Sequence, residues 1–432
     1  MKPKIVFTTA FSFLLIAITA CSPLAAATPT VTEPAAVPTN PEPTQTSTVP
    51  PTETITPTIE PSPTETETPW PTSAPQAAAP AKLALDTKIE LNEIHMFSLT
   101  EGWGISGRLL FRTTNGAQGW REVTPAAGQA DKVYGAFLDA QTAWVIFSSG
   151  DQVVTPLTIY HTSDGGSSWT SNQGPAIFPN AVGESTWADF AVLNAQEVWI
   201  MVRGVYMGAG THYSHELFHT ADGGATWTSL DGETSSGYTG MVFANTSFGV
   251  RTIEHLGAYE NWAPSFDITN DGGATWENRE LPPPPDAPDL VNQYPYCETY
   301  QPVLLPPSSI FMMAGCFDYH NPPTSFTSYL YVNQDGGTTW NSIKLPAKVQ
   351  AALDTLFFFD ANNAILLGRD IYKSTDGGQT WTYVQTVNWD AKFSFIDPLH
   401  GWALAGPPGE VALVVTTNGG RSWALITPVT AP

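Results

Sequence analysis

The pattern Ser/Thr-x-Asp/Asn-Gly-x-x-x-Trp, or a near copy of it, occurs seven times in this 432-residue chain, ending at Trp120, Trp169, Trp227, Trp276, Trp340, Trp381 and Trp423. Consecutive copies stand 41 to 64 residues apart, the range of a four-stranded propeller blade. Each copy reads as a hairpin turn. Its acidic or amide side chain (Asn115, Asp164, Asp222, Asp271, Asp335, Asp376 and Asn418) accepts backbone N–H groups a few residues on. The glycines supply the positive φ the turn requires, and the tryptophan folds back to bury a large apolar surface.

A second repeat runs in phase with the first. Before each turn come an apolar run, a polar turn and another apolar run, as in MFSLTEGWGIS, AFLDAQTAWVIF, FAVLNAQEVWIMV and FSFIDPLHGWALA. Trp103, Trp144, Trp199, Phe248 and Trp402 fall at corresponding positions of this repeat. The runs read as strands A and B of each blade, with strand C before the box, the box as the C–D turn and strand D beginning at its tryptophan. Residues 81–432 shared among seven units give about 50 residues per blade. The expected fold is therefore all-β, a seven-bladed β-propeller of four-stranded antiparallel blades that uses up the whole folded region. Little or no strand exchange between the termini is expected.

These boxes resemble the Asp-box (BNR) repeats of sialidases, sortilin-type receptors, xyloglucan hydrolases and the photosystem II assembly-factor propellers. The assembly-factor type is closest in look, because "apolar, x-Gly-Trp, apolar, then Thr-x-Asp-Gly-Gly-x-Thr-Trp" is nearly its whole blade. The resemblance covers about four fifths of the chain and implies the propeller architecture. It implies no single activity, since the same fold carries enzymes, receptors and chaperone-like factors.

The N-terminus points to export. Lys2 and Lys4 precede an uncharged run over 5–18, followed by Ile-Thr-Ala-Cys at 18–21. So short a run suits a signal peptide better than a membrane span. The order resembles a bacterial lipobox, which makes 1–20 a signal peptide and Cys21 the lipidated residue; the alternative is an ordinary signal peptide cut elsewhere. Residues 21–80 are rich in Thr, Pro, Ala and Glu, contain no Lys or Arg, and read as a disordered tether reaching on the order of 180 Å when fully extended. The expected location is extracytoplasmic, with the membrane reached only through the lipid anchor.

Charge and cysteine usage narrow the partners. Of 40 acidic residues and 17 Lys plus Arg, the propeller holds 34 and 15, a field that repels nucleic acid and anionic membrane surfaces. No nucleic-acid partner is expected, and the chain reads as a monomer. Cys297 and Cys316 remain after Cys21 and form a candidate disulfide in an oxidising compartment, with two buried thiols as the alternative.

Ligand chemistry is expected opposite the boxes, where the B-to-C and D-to-A connections meet. Insertions at 204–216, 254–265, 281–300 and 317–329 all fall there. They bring Tyr213, Tyr259, Trp262 and Tyr319 together with Glu216, Glu260 and Asp318, a set suited to a glycan or a peptide. Arg108, Arg203, Arg251 and Arg369 fall near the ends of strand B and are candidates for a carboxylate clamp. The alternative readings are aromatics that pack their own loops and independent surface arginines.

Catalytic signatures are sparse. The sialidase Phe/Tyr-Arg-Ile-Pro motif is absent, since LLFRTT around Arg112 lacks Ile-Pro and adjoins a box. His212-x-x-His215 lacks a third placed ligand, so no metal is expected, and no cofactor motif, serine elbow or phosphate loop occurs. The expected function is a non-catalytic binding or assembly module for a glycan or protein partner. A glycoside hydrolase or sialidase-like enzyme on the same face is the alternative, and a structural surface scaffold a third reading.

Overall fold

Strands B such as Ala364–Leu367 and Gly401–Ala405 are apolar and buried on both faces, so the blades must be covered on both sides, and a closed ring of blades does this. The computed structural model describes residues 83–126, 132–149, 152–153, 157–174, 187–206, 213–231, 237–254, 263–306, 308–318, 325–407 and 410–432. Residues 1–82, including Cys21 and the segments 1–20 and 21–80 expected to be a signal peptide and a tether, lie outside the described residues. Seven antiparallel sheets follow one another in chain order, spanning 93–122, 132–173, 187–231, 237–280, 296–344, 355–386 and 391–426. Each carries four sequential strands A to D, and blade 2 adds the short Gln152–Val153 beside its strand B. Strand A of each of blades 2 to 5 touches strand A of the next blade, and that of blade 7 touches that of blade 1, so the A strands form the inner layer.

The core is seven separate apolar layers, one between each pair of neighbouring blades. Strand-B tryptophans link across them. The indole N–H of Trp103 donates to the Asp139 carbonyl of blade 2, that of Trp144 to the Gly223 carbonyl of blade 3, and that of Trp199 to the Gly272 carbonyl of blade 4, at 2.9, 2.9 and 2.8 Å. In blade 4 the ladder aligns Val250, not Phe248, with these tryptophans, because Gly249 pairs with Phe243 as Val198 pairs with Val192. Phe248 instead closes the A–B turn and packs half-buried toward blade 5.

The repeated turn has one geometry. In blade 3 the Thr226 N–H and hydroxyl donate to Asp222 at 2.8 and 2.7 Å, while Thr220 Oγ1 donates to Asp222 and accepts the Gly224 N–H, both at 2.8 Å. Asn115 and Asn418 take the same place in blades 1 and 7, accepting the Gly119 and Ser422 N–H groups. A second turn, not distinguished in the sequence beyond its polarity, lies beneath it. In the A–B turns Ser98, Asp139, Asn194, Asn245, Asp360 and Asp397 accept N–H groups two and three residues on. The first box glycine then donates to an A–B carbonyl, as Gly272 does to Ser247 at 2.7 Å. Gly272 has φ +75°, and a Cβ there would stand 2.6 Å from the Thr246 carbonyl oxygen, so only glycine fits.

A graded prediction follows from this geometry. Asp222→Ala removes the acceptor and is expected to cost about 1 to 2 kcal/mol, whereas Asp222→Asn keeps the Thr226 N–H bond and is expected to cost less than half of that. The Thr226 hydroxyl, then its N–H and the Thr220 hydroxyl, hold the Asp222 carboxyl down at about 2. Its folded value lies below its ordinary value, so its contribution is complete above about pH 4 and is lost as pH falls toward 2. Urea melts of the two variants at pH 7 and pH 3 check this; equal losses for Ala and Asn would contradict the acceptor role.

The ring closes with strand exchange, contrary to the sequence-based expectation. Val429–Thr430 pairs in parallel with Gly119 and Trp120, adding a fifth strand to blade 1 outside its strand D. The opposite edge of this segment bonds to 86–89: Asp86 N to Thr430 O at 3.0 Å, Thr430 N to Thr87 O at 2.9 Å and Ile89 N to Pro428 O at 3.1 Å. Residues leaving blade 7 thus add main-chain bonds to a seam where the Met96 N–H also donates to Ser394 Oγ at 2.9 Å.

Candidate functional site

The B–C hairpins of blades 3 and 5 are longer than the others. Val198–Tyr206 pairs with Tyr213–Thr220, and Ser309–Asp318 with Ser325–Asn333. Side chains that alternate in the pleat extend the ladder into segments expected to be loops. Tyr213, Glu216 and Asp318 therefore stand on strands, opposite Tyr206, Val202 and Ser325, and Asp318 is buried. Tyr259, Glu260, Trp262 and Tyr319 lie outside the described residues. Cys297 and Cys316, the candidate pair, are directly opposite each other on strands A and B of blade 5 and form a disulfide.

The four arginines do not form one clamp. Arg251 is the third residue of its strand B, near the box end, and is buried with Nε 2.9 Å from Asp267 Oδ2. Its guanidinium lies over Tyr238 and Trp276, 3.9 and 4.1 Å from the ring centroids, a structural cation–π sandwich. Arg203 lies in strand B of blade 3 opposite Trp187 and the buried His215. Arg108 sits half-buried in the tight B–C turn of blade 1. Arg369 occupies the corresponding turn of blade 6 and is committed to Asp390.

Charged groups also occur on the inner strands. Lys392 of blade 7 lies 3.4 Å from Glu93 of blade 1, and His95 lies 3.8 Å from the same carboxylate. Burial alone would raise the Glu93 carboxyl, but the bond to His95 and the charge of Lys392 outweigh it and hold it below its ordinary value. In blade 3, Asp189 keeps part of its surface accessible, yet dense surrounding protein pushes its carboxyl up to about 6 against a bond from the Phe190 N–H.

A pocket on this face lies between blades 6 and 7, with a volume of about 520 Å³. Three segments build it: the 345–354 connection into blade 6, the 368–369 turn between its strands B and C, and the residues entering blade 7 at 390–393. Gly368 lets the Asp354 carboxylate lie against the backbone, since a Cβ there would fall 1.8 Å from Asp354 Oδ1 and would displace it. The Gln350 N–H donates to Asp354 Oδ2 at 2.9 Å. Arg369 grips Asp390 with two parallel bonds of 2.7 and 2.8 Å. Asp370 accepts the Thr386 hydroxyl and lies 3.1 Å from Lys348. The half-buried ring of Phe393 forms an apolar wall.

Their ionisation divides. The Arg369 bond holds Asp390 below the usual carboxylate range, and the Thr386 hydroxyl with Lys348 does the same for Asp370. Burial pushes Asp354 the other way, to about 6, with the charges of Asp370 and Asp390 adding to the rise against the Gln350 N–H. Of the residues singled out in the sequence, only Arg369 lines this pocket. The rest were hidden because they come from short, ordinary-looking connections rather than from insertions.

No protein-family model matches the chain, and no curated protein matches it. Among solved structures it is similar to YCF48 bound to D1 peptide, at 18% identity over 80% of this chain and 100% of that one, with a TM-score of 0.48. YCF48 from Cyanidioschyzon merolae is similar at 15% identity over 79% and 98%, with a TM-score of 0.44. A puromycin hydrolase mutant complexed with PGG is similar at 14% identity and a TM-score of 0.50, over 80% of this chain but only 54% of the hydrolase. At these identities the likeness is one of fold: a seven-bladed β-propeller.

Proposed function

We propose that the chain is an Asp-box propeller of a lipid-anchored, extracytoplasmic bacterial protein, and that it works as a non-catalytic binding or assembly module for a glycan or protein partner. The Lys-apolar-small-Cys order ending at Cys21 and the Thr/Pro-rich tether support the location, and the repeated boxes support the family resemblance. The observation that carries the function is the pocket between blades 6 and 7. Two of its three carboxylates are tied to cations inside the pocket, Asp390 to Arg369 and Asp370 to Lys348. Charges fixed in this way present directed donors and acceptors to a ligand, which is recognition chemistry.

One observation favours the glycoside-hydrolase alternative. Asp354 is raised to about 6 in the same pocket as the ionised Asp370, and such a split is what an acid paired with a nucleophile or base needs. Applying the full chain to glycan and peptide arrays, then incubating each hit and analysing the products, separates the readings. Bound ligand recovered intact is expected; released reducing sugar would establish the enzyme instead.

The anchor has its own test. Cys21→Ser is expected to leave the protein as uncleaved precursor or to release it from the membrane fraction. Normal processing with unchanged membrane retention would contradict lipidation at Cys21.

A further inference from the structure

We propose that the face carrying the boxes holds a second site, between blades 1 and 2, which takes the carboxylate of an acidic side chain from a peptide partner. It is separate from the pocket between blades 6 and 7 and stands whether or not that pocket binds. The site is a depression of about 200 Å³, walled by the A–B turns and boxes of the two blades and by 431–432. In it Arg112 of strand C stands directly opposite Arg121 of strand D in the blade 1 ladder, an arrangement that costs stability when both side chains are cations. Arg112 is 4% exposed and is held in place, with Nη1 donating to the Gly102 carbonyl at 2.8 Å and the guanidinium 5.0 Å from the Trp103 ring centroid. Glu101, 3.5 Å from Arg112 Nη2, is the one carboxylate paired with either guanidinium among the described residues. Arg121 meets the Gly165 carbonyl at 3.5 Å and Ser167 Oγ at 3.4 Å, the far limit of a hydrogen bond.

The box of blade 1 departs from the other six at this spot. In each of those a Ser or Thr hydroxyl four residues on occupies the second polar atom of the Asp or Asn, as Ser168 does at Asp164 (2.6 Å) and Ser422 at Asn418 (2.8 Å). Blade 1 has Gly119 there, where a Cβ would stand 3.0 Å from the Ala431 methyl. Asn115 Oδ1 accepts the Gly119 N–H at 2.8 Å and the Thr113 hydroxyl at 3.1 Å, while its Nδ2 bonds to no described residue. A spare donor thus replaces the carboxylate oxygen of the Asp boxes, beside two arginines that share one carboxylate. Asp164 also lines the depression, but Ser168 and Thr162 occupy both of its oxygens.

The donor set selects the ligand. Guanidinium groups and an amide match the planar fork of a carboxylate. A doubly charged phosphate would meet Glu101 and Asp164 on the same wall. Among the described residues no aromatic ring lines the depression, so a sugar acid would find no face to stack on. The chain's net charge of −23 repels acidic segments at a distance, so recognition rests on these short-range donors.

The test titrates the full chain, at about pH 7 and constant ionic strength, with N-acetyl-glutamate N-methylamide and with its glutamine analogue as the neutral control. It follows the side-chain N–H signals of Arg121 and Asn115. The glutamate probe is expected to move both and to bind about fivefold more tightly than the control. Arg121→Gln removes the charge, and Asn115→Asp restores the carboxylate of the other boxes while keeping the acceptor for the Gly119 N–H. Each is expected to abolish the preference. Equal binding of the two probes, or a preference that survives both substitutions, would overturn the proposal. Tighter binding of inorganic phosphate or methyl glucuronide than of the glutamate probe would overturn the choice of an acidic side chain. None of these results touches the reading of the opposite face.

Discussion

Trp199→Ala is expected to cost about 3 to 5 kcal/mol of unfolding free energy. Its side chain is fully buried, with the ring 3.8 Å from Phe243 of blade 4 at an interplanar angle of 5° and 4.4 Å from His219 of its own blade. Its indole N–H is satisfied by the Gly272 carbonyl in the turn of the next blade. Truncation thus opens a cavity between two blades and leaves a carbonyl without its donor, and neighbouring blades cannot collapse inward without breaking the ring. Trp199→Phe keeps the stacking on Phe243 and loses the hydrogen bond, so a smaller loss of about 1 to 2 kcal/mol is expected. Denaturant melts of both variants check the order; a loss below about 1 kcal/mol for alanine would show that the layer between blades 3 and 4 is not what holds them together.

Removing the disulfide is the second large effect. Cys297 and Cys316 are 19 positions apart in sequence and face each other across strands A and B of blade 5, where both are buried in the layer against blade 4. Opening a loop of that length restores entropy to the unfolded chain worth about 3 kcal/mol. Reduction leaves the packing volume in place, so it isolates this effect, while Cys297→Ala with Cys316→Ala adds the loss of buried sulfur. Equilibrium melts with and without reductant are expected to differ, with the double variant lowest. Coincident curves would show that the cross-link does not contribute to stability.

The fold was legible because its repeated turn needs a particular chemistry at fixed positions. An acceptor at Asp222, glycines that must adopt positive φ and an indole at Trp227 appear in the sequence in the order the turn requires. Even its exceptions follow a rule: Ala117 holds a positive φ of 69° where the other blades have glycine, and its methyl is packed in the layer between blades 7 and 1. Where no such chemistry operates, the sequence carries no register signal. Phe248 shares its sequence position with Trp199, but the ladder is set by Gly249 opposite Phe243 and places Val250 in the core. The clasp at 428–431 went unread because its main-chain bonds carry no side-chain signature.

The site was less legible for a related reason. Insertions and aromatics drew attention to blades 3 to 5, but a hairpin that keeps its pleat turns part of an apparent loop into strand, as at Glu216 and Asp318. Arg251 belongs to an internal ion pair with Asp267, which is evident only once Asp267 is known to lie directly opposite it. The blade 6 and 7 pocket gathers Lys348, Asp354, Asp370 and Asp390 from three separate segments, and only the packing of blade 7 against blade 6 makes them neighbours.

The central claim is that the face opposite the repeated turns binds a partner without transforming it. Hydrogen exchange of the full chain, with and without an array-identified ligand, tests it when the ligand is analysed afterwards. Protection is expected at 345–354, 368–370 and 390–393, with the ligand recovered unchanged. Protection confined to the seven repeated turns, or a cleaved ligand, would contradict it.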